Sequence, residues 1–171
     1  SKDYAVTTFH PETVAVNDNV HYANQMKSAL SAIANELFLV ITMPNADTLG
    51  TAYRQELENL KKENPNQVLL IENFGKDNYF SAMYYAQLLI GNTSSGIIEA
   101  ASFGKYVINV GDRQKGRAQS KNVLDTNFDA SAIVSNTKEA MKLGEYNGGN
   151  IYFKEGAADT IINIIKKHEK L

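Results

Sequence analysis

Apolar positions fall into two kinds of run that alternate along the chain. Blocks of strand length occur at residues 5–9 (AVTTF), 37–43 (LFLVITM), 67–72 (QVLLIE), 88–91 (LLIG) and 106–111 (YVINVG). They lack strict alternation, as expected of strands buried on both faces. Between them, apolar residues recur every three or four positions. Ala23, Met26, Leu30, Ile33 and Leu37 mark one buried helical face, and Leu49, Tyr53, Leu57 and Leu60 mark another over residues 48–63. Further helices are predicted at 78–87, 96–103, 137–143 and 157–167, with a short strand at 132–134 (AIV). His10-Pro11, Pro44-Asn45 and the Asn-Pro-Asn of 64–66 punctuate the pattern.

Alternating strands and helices with right-handed crossovers predict an α/β fold, a doubly wound parallel sheet. The 171 residues suffice for one domain, and no repeat, low-complexity tract or linker divides 1–171. A composition that is 43% hydrophobic and 21% charged excludes a disordered chain. The formal net charge of -2 gives no general attraction to nucleic acid or to an anionic membrane, so any anion site must be local. The longest apolar run, ELFLVITM, is too short to span a bilayer, and the first residues show no signal peptide. The lack of cysteine excludes disulfides and thiolate metal sites and fits a cytoplasmic location. A Ser at position 1, with strand-like residues almost at once, reads as a chain cut from something longer.

In a doubly wound sheet, ligands bind beyond the carboxyl ends of the strands. The loops that leave those ends carry His10-Pro11-Glu12-Thr13, Pro44-Asn45-Ala46-Asp47, Asn73-Phe74-Gly75, Gly91 to Gly96, and Gly111 to Arg117. The fourth, GNTSSG, joins a buried strand to a helix N-terminus, where backbone N–H groups lack partners. Gly91 and Gly96 permit close backbone approach there, and Thr93, Ser94 and Ser95 add hydroxyl donors, a combination suited to a phosphate or diphosphate. A serine at this place also caps helices, and the residues alone leave both readings open.

Glu99 lies four residues after Ser95, on the same side of the helix, where a carboxylate can accept from the vicinal hydroxyls of a ribose. The alternative is a favourable charge near a helix start, since the spacing does not fit a capping box with Ser95. In the loop GDRQKGR, the planar fork of Arg113 matches phosphate oxygens. Lys115 is read as solvated and Arg117 as a support of the loop. His10 ends a strand and is read either as a structural residue or as a ligand contact, and Glu12 as a proton carrier or a cap. No metal-ligand spacing, nucleophile elbow or GxGxxG motif is present, so no metal, cofactor or dinucleotide is expected.

The segments TFHPET, MPNAD and IGNTSSGIIEAASFGKYVINVGDRQKGR resemble the hydrolysing type of UDP-N-acetylglucosamine 2-epimerase, in order and over nearly the whole chain. The resemblance implies a Rossmann-like half of a two-domain fold of the B-type glycosyltransferase kind, this chain being the C-terminal, UDP-binding half. It places His10, Asn45, Phe74, Thr93, Ser94, Ser95, Gly96, Glu99 and Arg113 at UDP-contacting positions, with His10 nearest the glycosidic oxygen as the catalytic candidate. It further implies elimination of UDP from the sugar nucleotide and hydration to N-acetylmannosamine, in amino-sugar metabolism leading to sialic acid or surface polysaccharide. The partners it implies are a UDP-sugar and the N-terminal half, which supplies most of the catalytic carboxylates, so this chain alone is expected to be inactive. A homo-oligomer of the intact enzyme, the half of a B-type glycosyltransferase, and a non-catalytic nucleotide-sensing module remain open. GDRQKGR favours the epimerase over the glycosyltransferase, and the lack of an acidic cluster at the first strand disfavours a receiver domain.

Overall fold

The computed structural model describes residues 3–12, 16–45 and 50–168. The elements run β1 (Tyr4–Thr8), a 3₁₀ turn (Val16–Asp18), α1 (Asn19–Ile33), β2 (Phe38–Thr42), α2 (Thr51–Glu63), β3 (Val68–Ile71) and α3 (Gly75–Tyr85). Then follow β4 (Leu88–Gly91), α4 (Ser94–Ile98), a 3₁₀ turn (Ala100–Phe103), β5 (Tyr106–Val110), β6 (Val123–Thr126), α5 (Ala130–Leu143) and α6 (Ala157–His168). All six strands are parallel, in the order β3-β2-β1-β4-β5-β6. The expected doubly wound sheet is therefore the fold. Strand order reverses between β1 and β4, which puts the crevice favoured by ligands over those two strands.

Successive strand residues face opposite sides, so the central strands β1, β4 and β5 feed two cores. Ala5, Leu88, Ile90, Ile108 and Val110 join the α1, α2 and α5 core, whose centre holds Leu30, Leu57 and Ile133. Val6, Leu89 and Val107 point the other way and pack with Met83 of α3 and Ala100. Burial on both faces is the reason these strands read as unbroken apolar runs.

The structure corrects the sequence reading at several places. Residues 132–134 are not a strand but the first turns of α5, because Asp129 caps the helix, its Oδ1 accepting the Ala132 N–H at 2.8 Å. The sixth strand is β6 instead, an edge strand whose residues are half-buried or exposed. Asn122 anchors it, donating from Nδ2 to the Lys105 carbonyl at 2.9 Å while its own carbonyl accepts the Val107 N–H. The helix expected at 96–103 is a five-residue α4 and a separate 3₁₀ turn, closed by Gly104 at φ 70°. Leu37, assigned to a helix face, instead lies buried just before β2. The expected start of α2 at 48, and Leu49 with it, lie outside the described residues.

Helix α6 is different in kind. Ile161, Ile162, Ile164 and Ile165 are all exposed, and no described residue covers them. Leu57→Ala should therefore destabilise the domain by about 2–5 kcal/mol through a core cavity, whereas Ile162→Asn should change stability by less than about 0.5 kcal/mol. Urea unfolding measures both, and a comparable loss for Ile162→Asn would show that α6 packs on this domain.

Candidate functional site

The site begins with a buried asparagine. β4 ends at Gly91, whose Cβ, were it any other residue, would collide with the Thr8 carbonyl of the paired strand. Asn92 follows, 0% exposed. Its N–H donates to Thr8 O at 3.1 Å. Its side chain then pairs with the backbone of His10: Oδ1 accepts the His10 N–H at 2.7 Å and Nδ2 donates to His10 O at 2.8 Å. The Asn92 carbonyl accepts from Arg113 Nη1 at 3.1 Å and from Gln114 Nε2 at 2.8 Å. One residue thus fixes the loops after β1, β4 and β5.

A second tie runs between the first and third of these loops. Glu12 is 6% exposed, and its Oε1 accepts the Arg113 N–H at 3.1 Å. Its own backbone is held by Asn19, which donates from Nδ2 to Glu12 O at 3.0 Å and accepts the Glu12 N–H at 2.9 Å. Burial pushes the Glu12 carboxyl above its ordinary value, opposed by the N–H groups of Arg113 and Asp112.

At the serine-rich turn, Thr93 is the residue that caps α4, its Oγ1 accepting the Ser95 N–H at 3.0 Å. Ser94 is exposed and Ser95 half-buried. Five residues make a weak helix dipole, so the turn's offering to an anion is its hydroxyls more than a macrodipole. Gly96 has a packing role: a Cβ there would stand 2.8 Å from Val107 Cγ1, and its N–H already donates to Thr93 O at 3.2 Å. The Glu99 N–H donates to Ser95 O at 3.0 Å, which sets both residues on one side as their spacing implies.

Beside the turn lies a cavity of about 340 Å³, lined among others by Thr42, Phe74, Lys76, Tyr79, Ser95 and Glu99. Glu99 Oε2, Thr42 Oγ1 and the Tyr79 hydroxyl are buried and find no hydrogen-bond partner among the described residues. Such groups are costly to leave unmet. A larger depression of about 630 Å³, over β5 and β6, contains Arg117 and Lys115. Its acids are already engaged: Asp125 accepts from Asn109 and Gln119, Asp129 caps α5, and Asp112 pairs with Lys115 at 3.2 Å. The smaller cavity is the better ligand site.

The residues singled out from sequence therefore separate. Phe74, Ser95 and Glu99 share the small cavity, with Thr93 at its edge. His10, Ser94 and Arg113 extend from it across the ends of β1, β4 and the β5 loop, while Asn45 is exposed beyond β2. Lys115 and Arg117 turn to the other side. Thr13, Ala46 and Asp47 lie outside the described residues. Asn92, Gln114, Tyr79 and Thr42 were not anticipated; the only local hint was a polar residue directly after a buried strand. Among the described residues, no group of three histidine, aspartate or glutamate side chains is placed to hold a metal.

Residues 1–166 match the family of UDP-N-acetylglucosamine 2-epimerase. The chain belongs to that family. It is 34% identical to the polysialic acid biosynthesis protein P7 of Escherichia coli, over 96% of this chain and 43% of that protein. It is 35% identical to the GDP/UDP-N,N'-diacetylbacillosamine 2-epimerase (hydrolyzing) of Campylobacter jejuni, over 73% of this chain and 32% of that one. The fold superposes with a TM-score of 0.73 on the UDP-GlcNAc 2-epimerase from Neisseria meningitidis, solved bound to UDP-GlcNAc, at 14% identity over 96% of this chain and 45% of that one. This member of the UDP-N-acetylglucosamine 2-epimerase family thus spans less than half the length of the relatives it matches.

Asn92→Asp keeps the acceptor for His10 N–H but sets a carboxylate oxygen against His10 O. It should cost roughly 2–4 kcal/mol in urea unfolding, and an unchanged midpoint would mean that the clamp is dispensable. For Glu12, folding raises the carboxyl above 4.5, so the folded state is favoured while the group is protonated and that advantage fades as pH climbs beyond this value. Glu12→Gln retains the acceptor without the titration. Its stability should fall less than the parent's as pH rises above 4.5; parallel curves would remove Glu12 as the source.

Proposed function

We propose that this chain is the UDP-binding, C-terminal half of a UDP-N-acetylglucosamine 2-epimerase of the hydrolysing type. The observation that carries the reading is Glu99 Oε2, buried without a partner among the described residues beside a turn of hydroxyls. A carboxylate in that state calls for donors, and the vicinal hydroxyls of a ribose supply two. The Thr93-Ser94-Ser95 turn then receives the diphosphate, with Arg113 closing from the β5 loop and the backbone at Phe74 beside uracil. Asn45 contributes from the loop after β2. Held by Asn92 on the far side of the turn, His10 stands next to the leaving diphosphate and assists its departure.

In the intact enzyme the sugar loses UDP by elimination to a 2-acetamidoglucal, and water adds to give N-acetylmannosamine. The carboxylates that move protons at the sugar belong to the other half, so this chain binds UDP without turning over the sugar nucleotide. The sugar too is chosen there: relatives of similar identity carry names with different sugars, diacetylbacillosamine among them. UDP-sugar and the N-terminal half are the partners, in the cytoplasm.

Calorimetry with UDP and uridine tests the assignment. Glu99→Ala should weaken both ligands about tenfold or more, because a hydrogen bond to a charged group contributes roughly 1.5–3 kcal/mol. Arg113→Ala should weaken UDP and leave uridine nearly unchanged, and added salt should lessen the difference. Unchanged affinity of both ligands for Glu99→Ala would return that residue to a structural role.

A further inference from the structure

We propose that the Tyr79 hydroxyl is a ribose contact: it donates to a ligand hydroxyl whose own proton is accepted by Glu99. The inference rests on the nucleotide reading above and adds to it a residue and a selectivity.

Tyr79 sits on α3 with its ring wedged between Phe74, at 6.0 Å and 62°, and Phe80, at 6.4 Å and 47°. The ring packs against the smaller core, and this fixes where its hydroxyl points. That end reaches the strand ends and lies close to the hydroxyls of Thr8, Thr93 and Ser95, whose presence favours the phenolate somewhat. None of the described residues meets hydrogen-bond geometry with it, and geometry decides whether a buried group is satisfied. Burial pushes the phenol up and the Glu99 charge adds to this, so the group keeps its proton and serves as a donor.

The two unmet groups define what fits between them. An ionised Glu99 only accepts, and a protonated Tyr79 has one proton to give. A phosphate oxygen would accept from Tyr79 but repel Glu99. An ammonium would suit Glu99 but offer Tyr79 no acceptor. A hydroxyl satisfies both at once, accepting from one and donating to the other. Thr42 Oγ1, also buried and unmet among the described residues, lines the same cavity and can serve the second hydroxyl of a vicinal pair. The donor set therefore selects a ribose over a deoxyribose.

Binding of UDP, uridine and 2',3'-dideoxyuridine to the parent chain, Tyr79→Phe and Glu99→Ala decides the matter. Tyr79→Phe preserves ring and packing, so it should weaken UDP and uridine alike by roughly fivefold and leave dideoxyuridine as it was. In the double variant with Glu99→Ala the two losses should not add, because both act on one hydroxyl. Equal loss for all three ligands would mean that the phenol only shapes the cavity. A loss confined to UDP would move it to the diphosphate, and no loss would remove it from the site; each overturns the proposal while leaving the Glu99 reading intact. A parent chain that binds neither UDP nor uridine would overturn the nucleotide reading and this inference together.

Discussion

The pairing of the Asn92 side chain with the backbone of His10 is the constraint on which this site depends. β1 and β4 are in register up to Thr8 and Gly91, and the Asn92 N–H still bonds to Thr8. Beyond that point the main chains must part, because β4 turns into the Thr93–Ser95 segment. The backbone of His10 would then face an interior without a strand to pair with. An asparagine amide has the same donor and acceptor as a peptide group, so it continues the ladder for one residue from the side. Freed from that duty, the main-chain carbonyl of Asn92 accepts the Arg113 and Gln114 side chains. Divergence of two strands, positioning of a histidine and anchoring of a basic loop follow from one buried residue.

The rest of the strand-end architecture protects that pairing. Gly91 lets β4 lie against β1 without a side chain between them. Gly111, at φ 79°, does the same at β5: a Cβ would stand 2.6 Å from Glu12 Oε1 and as close to the Phe128 ring. Phe128 stacks on Tyr22 at 4.4 Å and meets Phe9 at 6.1 Å, an aromatic layer beside this glycine. The buried carboxyl is tolerated because the Arg113 N–H faces it. The loops after β1 and β5 are therefore set relative to each other by backbone groups and one acid, whatever the exposed ends of their side chains do.

Much of this was legible in the sequence, and the rest was hidden for definite reasons. The central strands declared themselves because burial on both faces makes them apolar throughout, and β3, though at an edge, is apolar too, with Val68 buried and Leu69 exposed. β6 did not, since an edge strand carrying Asp125 and Thr126 has no such demand. Ile133 and Val134 read as a strand because β-branched residues favour one, yet Asp129 at the cap and Ile133 in the core select helix. Thr93, Ser95 and Glu99 could be grouped from the sequence because their neighbours in sequence are their neighbours in space. Asn92, Glu12 and Gln114 act on partners 82, 101 and 22 residues away through backbone atoms, and no local spacing encodes that. Tyr79 looked like another aromatic residue of a helix until its hydroxyl proved to be buried and unmet among the described residues.

The two ends of the site differ in how they can hold a ligand. Around Glu99 the polar groups are buried and their geometry is set by packing, so a ribose bound there as proposed would need little ordering. A hydrogen bond made there is worth more than one in water, for the low local dielectric strengthens it and water does not compete. Around Ser94 and Arg113 the side chains are exposed. A guanidinium in solvent is screened and loses conformational freedom when it clamps a phosphate, so its attraction is largely offset. Arg113 is partly pre-ordered by its bond to the Asn92 carbonyl, which lowers the entropic cost without removing the solvent. On the proposed reading, the nucleoside end would fix where a ligand sits and which one is accepted. The proposed diphosphate end would gain strength only where something excludes water from it, and that is the part the proposal gives to a second half of the molecule.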